Sequence, residues 1–197
     1  MKEKKIYLGL FVAFLFVFQL STGVTTFIKT YGGGDYDDGY SVAQTSDGGY
    51  IIVGRTGLVE SWDVYLIKTD ANGTMLWNKT YGGSDYDWGY SVAQTQDGGY
   101  IIAGSTNSYG AGGSDVYLIK TDAYGRMLWS RTYGEAYDYD EGDSVAQTQD
   151  GGYIIAGSTK SYRSGGYDVY LIKTDSEGRM LWNRTYDKAD FCLLYTS

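Results

Sequence analysis

Asn78 to Trp129 reads NKTYGGSDYDWGYSVAQTQDGGYIIAGSTNSYGAGGSDVYLIKTDAYGRMLW, and close copies lie on either side of it. SVAQT begins at Ser41, Ser91 and Ser144, DVYLIKTD at Asp63, Asp115 and Asp168, and a closing tryptophan falls at Trp77, Trp129 and Trp182. A period of about 50 residues marks a repeat architecture, in which each copy is one supersecondary unit packed on its neighbours.

Within the second copy four strands are expected, at Ser91 to Thr95, Gly99 to Thr106, Asp115 to Thr121 and Met127 to Tyr133. Tyr100-Ile101-Ile102-Ala103 and Val116-Tyr117-Leu118-Ile119 are apolar throughout instead of alternating, so both faces of their sheet are expected to be covered. Turn chemistry supports the division. Asp47-Gly48, Asp97-Gly98 and Asp150-Gly151 mark a tight hairpin between the first two strands, because glycine accepts positive φ. Asp70 to Gly73, Asp122 to Gly125 and Asp175 to Gly178 are Asp-x-x-Gly turns, whose aspartate can bond the backbone two residues on. The connections between second and third strands differ in content, from RTGLVESW through STNSYGAGGS to STKSYRSGGY, which is where a constant scaffold would carry specificity.

Composition agrees with an all-β class: no proline, 29 glycines and 22 tyrosines among 197 residues, with 43% apolar residues for a core. The formal charge is −8. Without Met1 to Gly23 it is −10, from 13 basic and 23 acidic residues, which makes nucleic acid a poor partner. Histidine is absent and Cys192 is the single cysteine, so disulfides, zinc and Cys/His nucleophiles do not organise the chain.

Residues 1–23 have a basic start, an uncharged apolar run from Ile6 to Leu20 and small residues at the end, the pattern of a secretory signal peptide. Fifteen helical residues span about 22 Å, short of a bilayer core of about 30 Å, which disfavours an uncleaved anchor. Residues 24–32 carry TTFIKTYGG-like sequence with Phe27 in the place of the closing tryptophan, and read as a strand equivalent to a repeat's outermost one. Repeats then occupy 33–82, 83–134 and 135–187. A further copy begins at 188, but 192–197 do not fit it. Those six residues correspond to TGT CTC TTA TAC ACA TCT, which resembles a transposase end used in making sequencing libraries, so the natural chain is expected to continue.

Four strands per repeat, the DGGYIIAG hairpin and the D-x-x-G-x-x-L-W ending resemble the β-propeller repeats of secreted and cell-surface proteins of bacteria and archaea. Kelch and quinoprotein-type blades are more distant in pattern. The resemblance covers Phe27 to about Tyr186. It implies four-stranded antiparallel blades with SVAQT innermost and the MLW strand outermost, in a truncated propeller of three blades. Each open end face would be on the order of 300 Å², to be covered by further blades of the same protein or by self-association.

Candidate sites are few. Asp35 and Asp37, Asp85 and Asp87, and Asp138 and Asp140 offer carboxylates at alternate positions for calcium, but Ser46, Gln96 and Gln149 stand where an EF-hand loop needs glutamate. Turn-forming and capping roles compete for the same aspartates. Repetition in every copy also argues against a glycosidase pair, and no nucleophile stands beside a base. Trp77, Trp129 and Trp182 read as blade-packing residues, with no quinone or other cofactor called for. Trp62 and Trp88 do not recur, and with Tyr109 and Tyr162 they are the ligand-binding candidates. Asn72, Asn78 and Asn183 open N-glycosylation sequons. The function expected is extracellular binding or adhesion to a protein or glycan. The alternatives are a lectin with one site per blade, and part of a secreted enzyme whose catalytic portion lies elsewhere.

Overall fold

A computed structural model of the chain describes residues 26–33, 36–58, 61–135, 139–160 and 166–186. The signal-like segment, Cys192 and the 192–197 tail lie outside them. The described residues contain strands and no helix. The first sheet is β1 (Tyr36–Gln44), β2 (Tyr50–Leu58), β3 (Ser61–Thr69) and β4 (Met75–Tyr81). The second is β5 (Asp87–Gln94), β6 (Tyr100–Thr106), β7 (Asp115–Thr121) and β8 (Met127–Tyr133). The third is β9 (Asp140–Gln147), β10 (Tyr153–Thr159), β11 (Asp168–Thr174) and β12 (Met180–Tyr186). Each sheet is an antiparallel meander in chain order, the blade expected of each repeat, and the three do not close into a ring.

The sheets pack face to face in series. First strands of adjacent sheets touch, β1 with β5 and β5 with β9, which places the SVAQT strands on the inner side. The continuous apolar runs are explained by the two clusters they feed. Ile51, Val53, Val64 and Leu66 of the first sheet meet Val92, Tyr100, Ile102, Tyr117 and Ile119 of the second. From the second sheet's other face, Ile101, Ala103, Val116 and Leu118 meet Val145, Tyr153, Ile155, Tyr170 and Ile172. Successive residues of β6 and β7 thus point to opposite cores, as a strand's period of two dictates.

The first strand of the repeat departs most from its expected boundaries. β5 begins at Asp87, not Ser91, and ends at Gln94. The acidic residue is drawn into the ladder because Asp87 pairs with Thr106, and a register shift between Gly89 and Ser91 absorbs the irregularity. Close approach at that shift requires glycine opposite it: a Cβ on Gly104 would overlap the Trp88 carbonyl, as one on Gly157 would overlap that of Glu141.

The turns at the far end repeat a salt-bridged clamp. Gly98 has φ +81° and donates its N–H to the Thr95 carbonyl at 2.9 Å. Buried Lys120 reaches from β7 to Asp97, 2.8 Å from Oδ2, and caps the Thr121 carbonyl at 2.8 Å. Burial pulls the Asp97 carboxyl upward, but bonds from Lys120, Thr95 and Gly99 outweigh it and hold the group at about 2. Lys68 with Asp47 and Lys173 with Asp150 repeat the arrangement. The Asp-x-x-Gly turns close as their chemistry predicts, with Asp122 Oδ1 accepting the Tyr124 N–H at 2.9 Å.

Adjacent sheets are also tied at those turns. The Tyr81 hydroxyl donates to the Gly125 carbonyl at 2.7 Å, and Tyr133 to Gly178 at 2.6 Å. Residues 26–33 form no strand, yet Tyr31 donates to the Gly73 carbonyl at 2.6 Å. Phe27 stands 6.0 Å from the Tyr50 ring, as Trp77 stands 6.0 Å from Tyr100 and Trp129 stands 5.9 Å from Tyr153.

Candidate functional site

At the end opposite the hairpin clamps, near the end of β2 and the start of β3, stands an aromatic group that occurs a single time among the described residues. Trp62 stands near the start of β3, and Tyr86 and Trp88 flank the start of β5. Packing of the first sheet on the second brings them together. Tyr86 and Trp88 stack with centroids 5.6 Å apart and 7° between planes, and Trp62 meets them edge-on at 5.5 and 6.2 Å. Arg55 of β2 lies across the outer ring, its guanidinium carbon 3.6 Å from the Trp62 centroid. Asp38 fixes that guanidinium through Nε at 2.8 Å and a second nitrogen at 2.8 Å. A planar cation over an indole, oriented by a carboxylate, is a rigid arrangement with little rotamer freedom left to lose.

Arg55, Trp62, Tyr86 and Trp88 are all half-buried, and the Trp62 Nε1–H is buried with no hydrogen-bond partner among the described residues. The sequence isolated Trp62 and Trp88 as two separate non-recurring residues, and the structure makes them one cluster. Arg55 was missed, although the signal was present: the other repeats carry Ser105 and Ser158 at its position. Tyr86 was missed because Tyr36 and Tyr139 occupy the same place, so recurrence concealed it.

The remaining candidates fall elsewhere. Tyr109, in the connection after β6, is exposed, packs on Tyr117 at 5.7 Å and donates its hydroxyl to the Gly82 carbonyl at 2.6 Å. Tyr162, Asp35 and Asp138 lie outside the described residues. Trp77 and Trp129 pack against the two cores, whereas Trp182 is exposed beneath Arg184. Asn72 is exposed in a turn, and Asn78 is exposed within β4. Asn183, half-buried in β12, donates to the Tyr170 hydroxyl at 3.2 Å.

The acidic positions separate by environment. Asp37 accepts from the Gly33 N–H at 2.9 Å and from Thr56 at 2.6 Å. Exposed Asp85 accepts the Tyr86 N–H at 2.9 Å. Asp87 and Asp140 are fully buried first residues of strands. Asp87 Oδ2 accepts the Gly83 N–H at 2.9 Å and the Ser108 hydroxyl at 2.7 Å, so it pins two connections at once. Burial, and then the charge of Asp87, raise the carboxyl of Asp63 above its ordinary value. Burial likewise raises Asp115, opposed by the Ala111 N–H and reinforced by Asp140. Among the described residues no three acidic, histidine or cysteine side chains converge.

No protein-family model matches the chain, and no curated protein matches it.

Proposed function

We propose that this chain is an exported β-propeller repeat scaffold that binds a protein or glycan outside the cell and does no chemistry of its own. The observation that carries this reading is the Arg55–Trp62–Tyr86–Trp88 cluster, which interrupts an otherwise repeated structure at the end where connections differ. Apolar C–H faces of a sugar ring, or an aliphatic or aromatic side chain, pack on such rings, while Arg55 supplies polar contacts beside them. The acidic balance of the chain directs it away from nucleic acid. A signal-like start supports export, and kelch-like blades support a presenting role for the connections, including Asn107 to Ser114.

A glycan site in every blade is the weaker reading, because Asp87 and Asp140 have no exposed surface for a sugar to reach. Glycan-array and cell-surface binding by the full chain tests the proposal. Trp62→Ala and Trp88→Ala are each expected to weaken binding tenfold or more, about the loss of one well-stacked aromatic anchor, while Asp87→Ala and Tyr90→Phe separate the per-blade reading. Binding unchanged in both tryptophan variants removes the cluster from the site. Cleavage of a substrate by a chain that binds nothing sinks the proposal.

A further inference from the structure

The two junctions inside the chain are one interface used twice. Tyr81 donates its hydroxyl to the Gly125 carbonyl and Tyr133 to that of Gly178, at 2.7 and 2.6 Å. Trp77 meets the Tyr100 ring at 6.0 Å, and Trp129 meets Tyr153 at 5.9 Å. On the hairpin side, the Ser46 N–H donates to Gln94 Oε1 and the Gln96 N–H to Gln147 Oε1, both at 2.8 Å. Each junction therefore joins a tryptophan, a tyrosine hydroxyl and a hairpin N–H of one sheet to a tyrosine ring, a glycine carbonyl and a glutamine of the next.

The outer faces carry the two halves of this set. On the third sheet Trp182, Tyr186 and the hairpin residue Gln149 stand at the donating positions with no sheet against them among the described residues. Trp182 and Tyr186 are 41% and 37% exposed, whereas Tyr81 and Tyr133 are each 6% exposed. On the first sheet Tyr50, Gly73 and Gln44 stand at the receiving positions, beside an apolar groove lined by Phe27, Val42, Tyr50 and Ile52. Residues 26–33 fill only the outermost part of that face. Phe27 meets the Tyr50 ring, Tyr31 bonds the Gly73 carbonyl and the Gly33 N–H bonds Asp37, but the segment forms no strand and its Ile28 is 98% exposed. β12, in contrast, is laddered to β11 from Val169 to Thr174 and carries a larger indole at the Phe27 position.

We propose that the third sheet of one copy of this chain docks on the first sheet of another, with residues 26–33 as the gate to that face. Trp182 and Tyr186 of the incoming copy take the Tyr50 ring and the Gly73 carbonyl from Phe27 and Tyr31, and its Gln149 N–H reaches Gln44. The contact is the junction already made twice within the chain, and each docked copy still offers its other face. Four strands of about seven residues cover roughly 450 Å² at standard spacings, or about 900 Å² for the two faces together, at the low end for specific association. Exchange of one outermost strand for another cancels part of the gain. Association is therefore weak and concentration-dependent, and the gate sets its threshold.

The test is sedimentation velocity of the full chain over a range of concentrations, with circular dichroism to confirm that each variant folds. The average mass of the wild type is expected to rise with concentration. Val42→Glu and Val169→Glu put a charge on the first and the third face, at side chains 62% and 56% exposed, so neither disturbs a core. Each variant alone should stay monomeric, and their equimolar mixture should form dimers and nothing larger, because one intact face of each kind remains. Phe27→Ala/Tyr31→Ala should lower the concentration for half-association roughly tenfold, the equivalent of one hydrogen bond and one ring contact that no longer have to be displaced. The apolar run from Ile6 to Leu20 is common to all these chains, so aggregation through it would ignore the face variants. Wild-type and Phe27→Ala/Tyr31→Ala chains that both remain monomeric overturn the proposal and leave the faces to a further repeat. Self-association that persists in either glutamate variant overturns it too, since like faces or the apolar run then make the contact. A Phe27→Ala/Tyr31→Ala chain that associates no more tightly than wild type overturns the gating role of residues 26–33.

Discussion

Replacing Tyr133 by phenylalanine deletes one oxygen atom from the junction of the second and third sheets. Its hydroxyl donates to the Gly178 carbonyl at 2.6 Å, and both residues are buried. Losing a typical hydrogen bond costs about 1 kcal/mol, and leaving a buried acceptor orphaned costs about 1–3 kcal/mol, partly offset because phenylalanine needs no partner. A net loss of roughly 1–2 kcal/mol follows. In a domain of this size that lowers the melting temperature by about 3–6 °C. Tyr81→Phe, with its 2.7 Å bond to Gly125, should cost the same, and the two losses should add, since the residues feed separate cores. Tyr31 makes the same bond to Gly73 at 2.6 Å, but in a half-buried setting where water can replace the donor. Tyr31→Phe is therefore expected to cost no more than about 0.5 kcal/mol, the usual range for surface changes. Urea unfolding of the three variants and the double variant measures this series. Equal losses at Tyr31 and Tyr133, or a Tyr81→Phe/Tyr133→Phe chain as stable as wild type, would refute the idea that these tethers hold sheet to sheet.

Buried tyrosines also set an alkaline limit. Burial raises the hydroxyls of Tyr100, Tyr117 and Tyr153 to about 12, against about 10 in an unfolded chain. Above pH 10 the unfolded state releases protons that the folded state retains, so stability should be intact below pH 10 and fall as pH rises toward 12. Denaturant midpoints across that range check it, and a flat profile would contradict the burial. Two glycine substitutions should separate conformational cost from collision. Gly98→Ala has open space and only the left-handed φ of +81° to bear, about 1–2 kcal/mol, whereas Gly104→Ala drives a methyl into the Trp88 carbonyl and should lose folding cooperativity altogether. Circular dichroism melts distinguish the two outcomes, and similar melting of both variants would argue against the close β5–β6 approach.

The blade was legible because each local signal in the repeat points the same way. Apolar runs at Tyr100 to Ala103 and Val116 to Ile119 named the doubly covered strands, and the Asp-Gly and Asp-x-x-Gly turns marked where they reverse. The start of β5 was not legible, because Asp and Gly in GGSDYDWG are turn formers by composition, and only the pairing of Asp87 with Thr106 draws them into a strand. Spacing along the chain suggested Asp85 as the partner of Asp87. The structure instead exposes Asp85 and brings Asp63 across from the neighbouring repeat, a contact that no single-copy pattern encodes. The aromatic cluster was half legible: a comparison of copies isolates Arg55, Trp62 and Trp88 by their failure to recur, but not their convergence.

One valine followed through the three copies shows how the fold relates to its neighbours. Val92 and Val145 are 5% and 7% exposed, while Val42, at the same place in the first sheet, is 62% exposed. On the other face Val64 and Val116 are fully buried, while Val169 in the third sheet is 56% exposed. Each sheet therefore has two unlike faces, and every junction joins the Val64 face of one to the Val92 face of the next. The two faces left open are one of each kind, so they are complementary to each other in the way that already works twice within the chain. If a further repeat or another copy covers these faces, as proposed, head-to-tail packing is expected over a two-fold pairing of like faces. Phe27 and Tyr31 already occupy, on the first sheet, the places that Trp77 and Tyr81 take on the second, so a four-stranded sheet added on that side must displace residues 26–33.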